Sequence, residues 1–161
     1  MSKIKSLLKD KESVLVFDID GVLAVIEFGE NTHFRLNDDD WNKQILEGNN
    51  FYTEDKVSKK MQDFLKTKDM KKVYVITKCF NEKEGIFKKD YANTYYNIPK
   101  ENVYYVKSKK DKLNKIKEIK SNYPNIEDEK VIMIDDTVEV LNDVMENSNF
   151  STCHISSFLD I

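Results

Sequence analysis

Two aspartates separated by one residue stand directly after an apolar run near the start of this chain of 161 residues. The run begins at Val14, the aspartates are Asp18 and Asp20, and Gly21 comes next. Such a run is typical of a strand buried on both faces, and residues i and i+2 of an extended chain project to the same side. Both carboxylates therefore address one point, where they repel each other unless a cation or a proton lies between them. Gly21 allows the chain to leave the sheet sharply.

Three other stretches place polar groups where a strand is predicted to end or a helix to begin. Thr77 follows the apolar residues 73–76, and Asp135 and Asp136 follow the apolar residues 131–134. Four lysines surround a predicted helix start between these two stretches: Lys107, Lys109, Lys110 and Lys112. Each stretch alone is also compatible with an ordinary polar turn or a solvated charged face. Their occurrence together, in this order, indicates one site made of acids, a hydroxyl and a lysine.

Strands and helices alternate along the chain that must position these groups. Apolar runs predict five strands. The first begins near residue 14, and the other four lie at about 72–78, 103–106, 131–137 and 151–156. Helical spacing of apolar residues predicts helices at about 2–11, 37–48, 53–68, 82–96, 108–123 and 139–146. Ser108 is the expected N-cap of the fifth helix. Strands separated by helices imply a parallel sheet covered on both faces, an α/β fold whose ligands bind at the carboxyl ends of the strands.

The segment between the first two strands has room only for small elements. Residues 24–28 and 32–36 flank a glycine-containing loop, which predicts a hairpin over the end of the first strand. The three aspartates 38–40 are interpreted as first-turn residues of the next helix rather than as metal ligands. We therefore interpret residues 24–60 as a flap and small cap insertion within a single domain that spans residues 1–161.

Several other residues have roles that the sequence leaves open. Three aromatic residues of the insertion either line a ring-binding pocket or pack its core: Trp41, Phe51 and Tyr52. His33, in the predicted flap, either touches the substrate or is an ordinary surface residue. Cys79 is interpreted as a buried small hydrophobe, because no neighbour in the sequence forms a thiol-activating pair with it.

Charge and composition argue against several classes of function. The net charge is −3 although 34% of the residues are charged, which argues against nucleic acid or an anionic membrane surface as a partner. Cys79 and Cys153 are too few for a disulfide framework. Residues 1–12 are rich in charge, and no apolar run approaches the roughly 20 residues that cross a bilayer. We therefore expect a cytoplasmic protein with no signal peptide, of open oligomeric state.

The stretch Asp18-Ile19-Asp20-Gly21-Val22-Leu23 resembles the first motif of the haloacid dehalogenase-like superfamily of hydrolases in its phosphatase form. Thr77 is similar to the second motif, Lys112 to the third, and the pair Asp135-Asp136 to the fourth. The resemblance extends over residues 14–142. It implies a three-layer α/β sandwich around a parallel, five-stranded, Rossmann-like sheet of order 5-4-1-2-3, with a flap after the first strand.

Two positions of the motifs are not settled by the resemblance. The fourth motif commonly has Asp or Asn four residues after its second acid, where this chain has Val140. Glu139, one residue earlier, either orients a metal site or faces solvent. The lysine of the third motif is Lys112 as first choice and Lys109 as second, because each precedes an apolar residue by four positions.

The chemistry of these groups suits the attack of a carboxylate on a phosphate ester. The ester is anionic, so a divalent cation must neutralise it and the nucleophile. Mg²⁺ prefers oxygen ligands, which Asp18, the backbone carbonyl of Asp20 and a carboxylate of Asp135 or Asp136 are expected to supply. The resemblance implies that Asp18 is the nucleophile and forms an aspartyl-phosphate, and that Asp20 acts as general acid and base. Thr77 and the lysine are then expected to bind the phosphate.

These expectations lead to a Mg²⁺-dependent phosphatase for a small phosphomonoester, such as a nucleotide or a sugar phosphate. Two other interpretations are a phosphoacceptor signalling domain and a non-catalytic relative that binds phosphate or metal. A signalling domain places its acid pair and its phosphorylated aspartate on different early strands, whereas here the Asp-x-Asp pair comes first and the Asp-Asp pair last. The presence of all four motif positions argues against the non-catalytic relative.

Overall fold

A computed structural model describes residues 2–25 and 36–160 of the chain. The strands are β1 Val14–Phe17, β2 Val73–Lys78, β3 Val103–Val106, β4 Val131–Asp135 and β5 Ser151–His154. The helices are α1 Lys3–Lys9, α2 Asp38–Glu47, α3 Lys59–Leu65, α4 Glu82–Tyr96, α5 Asp111–Ser121 and α6 Val138–Glu146. No helix of the described residues is long and apolar enough to cross a membrane.

The five strands form one parallel sheet in the order β3-β2-β1-β4-β5, which reads 5-4-1-2-3 from the β5 edge. This confirms the expected α/β class with a Rossmann-like layout. β1 lies at the centre, and its Phe17 is aligned with Val75 of β2 and Ile134 of β4. The backbone N–H of Asp18 continues the ladder by donating to the carbonyl of Ile134, with an N to O distance of 3.0 Å. Residues that follow β1 and β4 are therefore neighbours at the carboxyl edge of the sheet.

The two faces of the sheet pack against different helices. In β1, Leu15 and Phe17 belong to one apolar cluster, while Val14 and Val16 belong to the other. The first cluster includes Trp41 of α2 and residues of α4, and the second is closed by α5 and α6. Alternation along a strand that is buried on both faces produces this arrangement. Each fully buried large apolar side chain contributes about 1.5–3 kcal/mol, so the sheet holds its carboxyl edge firmly in place.

The insertion after β1 agrees with part of its prediction. The side chain of Asn37 caps α2 by accepting from the N–H of Asp40 at 2.9 Å, and the three aspartates 38–40 lie in the first turn as expected. Ala24 forms an isolated antiparallel bridge with Val57, so the two ends of the insertion are joined. The predicted hairpin falls mostly on residues 26–35, which lie outside the described residues, as does His33.

The predicted helix over residues 53–68 is wrong. The chain makes a 3-10 turn at Glu54–Lys56, becomes extended at Val57 and then forms the short helix α3. The bridge between Val57 and Ala24 requires an extended backbone there, and Ser58 caps a new helix by accepting from the N–H of Met61 at 3.3 Å. The apolar residues of this segment thus belong to two parts of the chain, the extended Val57 and the helix α3. They are separated because Val57 pairs with Ala24, a residue distant in sequence.

The predicted start of the fifth helix is also wrong. Helix α5 begins at Asp111, and Ser108 accepts from the N–H of Lys110 in the turn before it instead of capping it. The last predicted strand is shorter than expected, since β5 ends at His154 and a 3-10 helix, Ile155–Asp160, follows. These are differences of a few residues at the ends of elements that the apolar pattern located correctly.

Candidate active site

Three acidic side chains meet at the carboxyl ends of the central strands. Asp18 follows β1, Asp135 is the last residue of β4, and Asp136 comes next. One carboxylate oxygen from each lies within 4.8 Å of the others. Asp18 and Asp135 are buried, and Asp136 is partly exposed. The sheet order explains the meeting, because β1 and β4 are neighbours and end at the same edge.

A single buried lysine compensates part of this negative charge. Lys112 of α5 is 2% exposed, and its Nζ lies 3.0 Å from Oδ2 of Asp18 and 2.8 Å from Oδ2 of Asp135. Burial opposes the charged ammonium, but the carboxylates of Asp18 and Asp135 outweigh this effect and raise the pKa of Lys112. Lys112 pairs with two of the three clustered carboxylates, so the cluster keeps an excess of negative charge when all three are ionised.

The excess charge and one unpartnered atom fit a divalent cation. Among the described residues, Oδ1 of Asp18 is a buried side-chain oxygen with no hydrogen-bond donor. Leaving a buried acceptor without a partner costs about 1–3 kcal/mol, so such an atom calls for a ligand. Burial, together with the neighbouring carboxylate of Asp18, raises the pKa of Asp135 to about 6. Clustered carboxylate oxygens with an unused lone pair are what Mg²⁺ binds in proteins.

Gly21 brings the turn after β1 close to the acidic cluster. Its φ is +77°, and a Cβ at this position would lie 2.7 Å from Cγ of Asp136 and collide with its carboxylate. The following turn is tight, because the carbonyl of Ile19 accepts from the amides of Val22, Leu23 and Ala24. Glycine is therefore required both by the left-handed backbone and by the approach to Asp136.

The carboxylate of Asp20 turns to a different set of partners. Its Oδ2 lies 2.7 Å from Nζ of Lys88, and its Oδ1 accepts from the hydroxyl of Tyr52 at 3.2 Å. The side chain of Asp20 is thus absent from the cluster of three acids that the described residues form. The predicted metal contact of Asp20 uses its backbone carbonyl and stays a prediction.

Thr77 is the penultimate residue of β2 and lies next to Lys88. It is 1% exposed, and its Oγ1 accepts from Nζ of Lys88 at 3.2 Å. Accepting this bond leaves the hydroxyl proton of Thr77 available to an anion at the strand end. The residue after it, Lys78, is partly exposed and lies with its Nζ 4.5 Å from the ring centre of Phe80.

A cavity of about 250 Å³ opens at this edge of the sheet. Its walls include the predicted site residues Asp18, Asp20, Lys112 and Asp136, and Lys109 contributes to the wall as an exposed side chain. Of the two candidate lysines, the structure therefore buries Lys112 against the acids and leaves Lys109 in contact with solvent.

Glu139 does not line this cavity. It is exposed on α6 and faces a larger cavity of about 830 Å³ between α5 and α6, which holds none of the three clustered acids. Val140 is buried in the core on the same helix. Of the two readings that the sequence leaves open for Glu139, its position fits the solvent-facing one.

Two buried residues beside Asp20, Glu84 and Lys88, were missed by the sequence reasoning. The buried Tyr52, expected either to line a ring-binding pocket or to pack the core, instead donates its hydroxyl to Asp20 and Glu84. Glu84 is fully buried and Lys88 is 1% exposed, so both lie on the face of α4 that packs against the core rather than on its solvent face. Their signal was present, because Glu84 and Lys88 share the i, i+4, i+7 face of α4 with the buried Tyr91. A charged pair on an otherwise apolar helix face is compatible with burial. The same i, i+4 spacing is also typical of an ordinary ion pair on the surface of a helix, so the sequence does not distinguish the two.

Cys79, Trp41 and Phe51, whose roles the sequence leaves open, are packed in the interior. Cys79 is buried, and burial raises the pKa of its thiol to about 12, so it is no nucleophile near neutral pH. Trp41 and Phe51 pack ring to ring with centroids 4.5 Å apart within the core of the insertion. The imidazole of His154 uses Nε2 to contact the carbonyl of Asp136 at 3.2 Å.

No family model and no curated protein matches the chain. A solved structure, that of DsGPDH of Dunaliella salina, is similar to it with a TM-score of 0.56 and 16% sequence identity. The similarity covers 92% of this chain and 24% of that chain, so this chain spans about a quarter of that protein. At this identity the comparison shows a shared fold alone.

Proposed function

We propose that this protein is a Mg²⁺-dependent phosphatase of the haloacid dehalogenase-like type, which hydrolyses a small phosphomonoester through an aspartyl-phosphate on Asp18. The observation that carries the proposal is the environment of Asp18. This residue has one carboxylate oxygen held by Lys112, the other buried without a donor, and two further acids beside it. A purely structural aspartate has no reason to keep such an oxygen in the interior.

Four oxygen donors of the chain fit the cation. The groups that would hold it are the carboxylates of Asp18, Asp135 and Asp136 and the backbone carbonyl of Asp20. When bound, Mg²⁺ neutralises the charge of the phosphate and of the attacking carboxylate, so that two anions approach each other. The excess of negative charge around Lys112 supports a divalent ion rather than a bare anion site.

The covalent chemistry then belongs to two aspartates. An oxygen of Asp18 forms a bond to phosphorus while the bond from phosphorus to the ester oxygen breaks, and Asp20 gives a proton to the departing alcohol. In the second half, Asp20 takes a proton from a water molecule whose oxygen attacks the aspartyl-phosphate. This releases inorganic phosphate, restores Asp18 as a carboxylate and leaves Asp20 protonated for the next cycle.

Thr77 and the lysines bind the phosphoryl group in this scheme. The hydroxyl of Thr77 keeps its proton for a phosphate oxygen, and Lys109 adds positive charge at the cavity wall. Lys112 holds Asp18 in place and offsets charge as the phosphoryl group is transferred. A cavity of about 250 Å³ suits a phosphoryl group with a small part of its alcohol.

The test is phosphate release from a panel of phosphomonoesters, nucleotides and sugar phosphates included, with Mg²⁺ and with EDTA. We expect release that requires Mg²⁺ and is confined to a few members of the panel. The variant Asp18→Asn should lose more than about a thousandfold in kcat while its fold is retained, because the nucleophile is removed and its shape is kept. An exposed acid, Asp63, supplies the matched control Asp63→Asn, which should keep full activity.

Three outcomes oppose the proposal. Appreciable turnover by Asp18→Asn would remove Asp18 as the nucleophile. Release that is indifferent to EDTA would remove the metal. A single phosphorylation by a small phosphodonor with slow release would favour a phosphoacceptor domain, and no phosphorylation at all would favour a binding module.

A further inference from the structure

We propose that Lys88 of α4 is a positioning residue, anchored by Glu84, that holds the carboxyl group of Asp20 where it meets the departing alcohol. The inference rests on the proposed function, since it assigns to Lys88 the task of orienting the general acid. Lys88 lies outside the four sequence motifs, on a helix that follows the second of them.

The ammonium of Lys88 is surrounded by oxygens from three parts of the fold. Its Nζ lies 2.7 Å from Oδ2 of Asp20, 3.2 Å from Oε1 of Glu84, 3.2 Å from Oγ1 of Thr77 and 2.6 Å from the carbonyl of Lys78. An ammonium has three protons, and four acceptors already share them. Lys88 therefore has no donor to spare for a phosphate, and its shortest contact with a side chain of the proposed site is the one with Asp20.

Glu84 fixes the lysine from the other side. It is fully buried, its Oε2 accepts from the N–H of Phe80 at 2.8 Å, and its Oε1 accepts from the indole of Trp41 at 3.2 Å. The hydroxyl of Tyr52 lies 3.1 Å from the same Oε1 and 3.2 Å from Oδ1 of Asp20. The insertion and α4 thus converge on Asp20 through residues that are themselves held by the core.

The charge of Lys88 is maintained in the interior by the carboxylates around it. Burial opposes the charge of Lys88, yet the carboxylates of Asp20 and Glu84 raise its pKa, so it is an ammonium at all working pH values. A buried lysine lowers the stability of the fold unless it is paired and fully hydrogen-bonded. Apolar side chains of similar volume in place of a buried ion pair often give a fold that is at least equally stable. A lysine retained in this interior beside a predicted general acid is better explained by placement of that acid than by stability.

The experiment compares two aryl phosphates with good and poor leaving groups, 4-nitrophenyl phosphate and phenyl phosphate. A general acid matters most for the poor leaving group, so a misplaced Asp20 should slow phenyl phosphate far more. The variant is Lys88→Met combined with Glu84→Gln, which removes one positive and one negative charge together and leaves no buried Glu84 anion unpaired. We expect kcat to fall about a hundredfold for phenyl phosphate and about fivefold for 4-nitrophenyl phosphate, with KM unchanged.

Two controls separate positioning from a general loss of structure. Lys72→Met removes a lysine paired with Glu12 at the amino end of β2, at 2.7 Å, and should leave both kcat values unchanged. Adding the Lys88 and Glu84 changes to Asp20→Asn should cost nothing more on phenyl phosphate, because they act through Asp20. If circular dichroism shows that the paired variant is unfolded, Lys88→Gln is measured in the same way, and it should show the same selectivity.

The outcomes are distinguishable from failure of the proposed function. A wild-type protein that hydrolyses neither ester under any metal condition overturns the function and the inference together. A wild type that turns over both, with variants that lose equal factors on the two esters or lose nothing, overturns the inference alone. A further loss in the Asp20→Asn background would also overturn it, because Lys88 would then act by another route.

Discussion

The Nζ of Lys112 lies 3.0 Å from Oδ2 of Asp18, and both side chains are withdrawn from solvent. This pair joins α5 to the end of the central strand at the edge where the second acid, Asp135, lies 2.8 Å from the same ammonium. Because two buried carboxylates share this one ammonium, its removal is expected to lower the free energy of unfolding.

Replacement of Lys112 by methionine should destabilise the protein strongly. The change leaves Asp18 and Asp135 buried without their cation, which costs about 3–5 kcal/mol in the free energy of unfolding. Urea unfolding in EDTA measures it, and added Mg²⁺ should recover part of the loss. On the same helix, Lys115→Met removes an ion pair with the exposed Glu118 and should cost less than about 1 kcal/mol. Equal losses for the two variants would contradict the central role of Lys112.

The substitution Gly21→Ala should weaken metal binding as well as stability. A Cβ at Gly21 meets Cγ of Asp136 at 2.7 Å, so the carboxylate must move away from the cluster. Gly48 is the matched control, because it also has a positive φ, +102°, but its Cβ would find its nearest neighbour, Nζ of Lys83, at 3.5 Å. Both alanine variants should lose about 1 kcal/mol from backbone strain.

Only Gly21→Ala should also weaken the binding of Mn²⁺, measured as a probe ion by calorimetry. The expected loss in affinity is about tenfold or more, which corresponds to about 1.4 kcal/mol. Unchanged affinity in this variant would separate Asp136 from the metal site.

Substitution of Asp20 by asparagine should slow turnover without preventing metal binding. The side chain keeps its size but gives up proton transfer, which is worth about a hundredfold to ten-thousandfold in rate. Affinity for Mn²⁺ should be retained, because the predicted ligand from this residue is its backbone carbonyl. Phosphate release and calorimetry on the same preparation measure the two effects. Near-normal rates would refute the acid and base role of Asp20.

The stability of the metal-free protein should depend on pH through Asp135. Its pKa is raised from 3.8 to about 6 in the fold, first by burial and then by the carboxylate of Asp18. The folded state therefore holds this proton more tightly than the unfolded state does. The stabilisation from this group is complete below about pH 4 and is lost as the pH rises through 6.

The variant Asp135→Asn lacks this titration and isolates its effect. The difference in unfolding free energy, variant minus wild type, should increase between pH 4 and pH 6 and level off above it. Urea unfolding at several pH values in metal-free buffer measures this difference. A difference that is flat across the interval, or that decreases, would show that the pKa of Asp135 is not raised.

The sequence alone located the strands and most helices correctly, because their signals are local. The apolar runs of β1, β2 and β4 are buried on both faces, and polar residues follow or end them where water is met again. Helix α4 covers the predicted residues 82–96 with its N-cap Asn81 and its left-handed Asn97, since caps and apolar spacing lie within the helix itself. From this pattern, Asp18, Thr77 and Asp135 could be assigned to one edge of one sheet.

Only the tertiary structure decided which charges enter the interior. Lys109 and Lys112 have equivalent apolar neighbours four positions on, yet Lys112 lies within α5 and is buried, whereas Lys109 lies in the turn before α5 and is exposed. Glu84 and Lys88 read as a surface pair until packing of the insertion removes water from them. The reason is physical: apolar periodicity acts over a few residues. The desolvation and pairing of a charge depend on segments that meet only when the chain has folded.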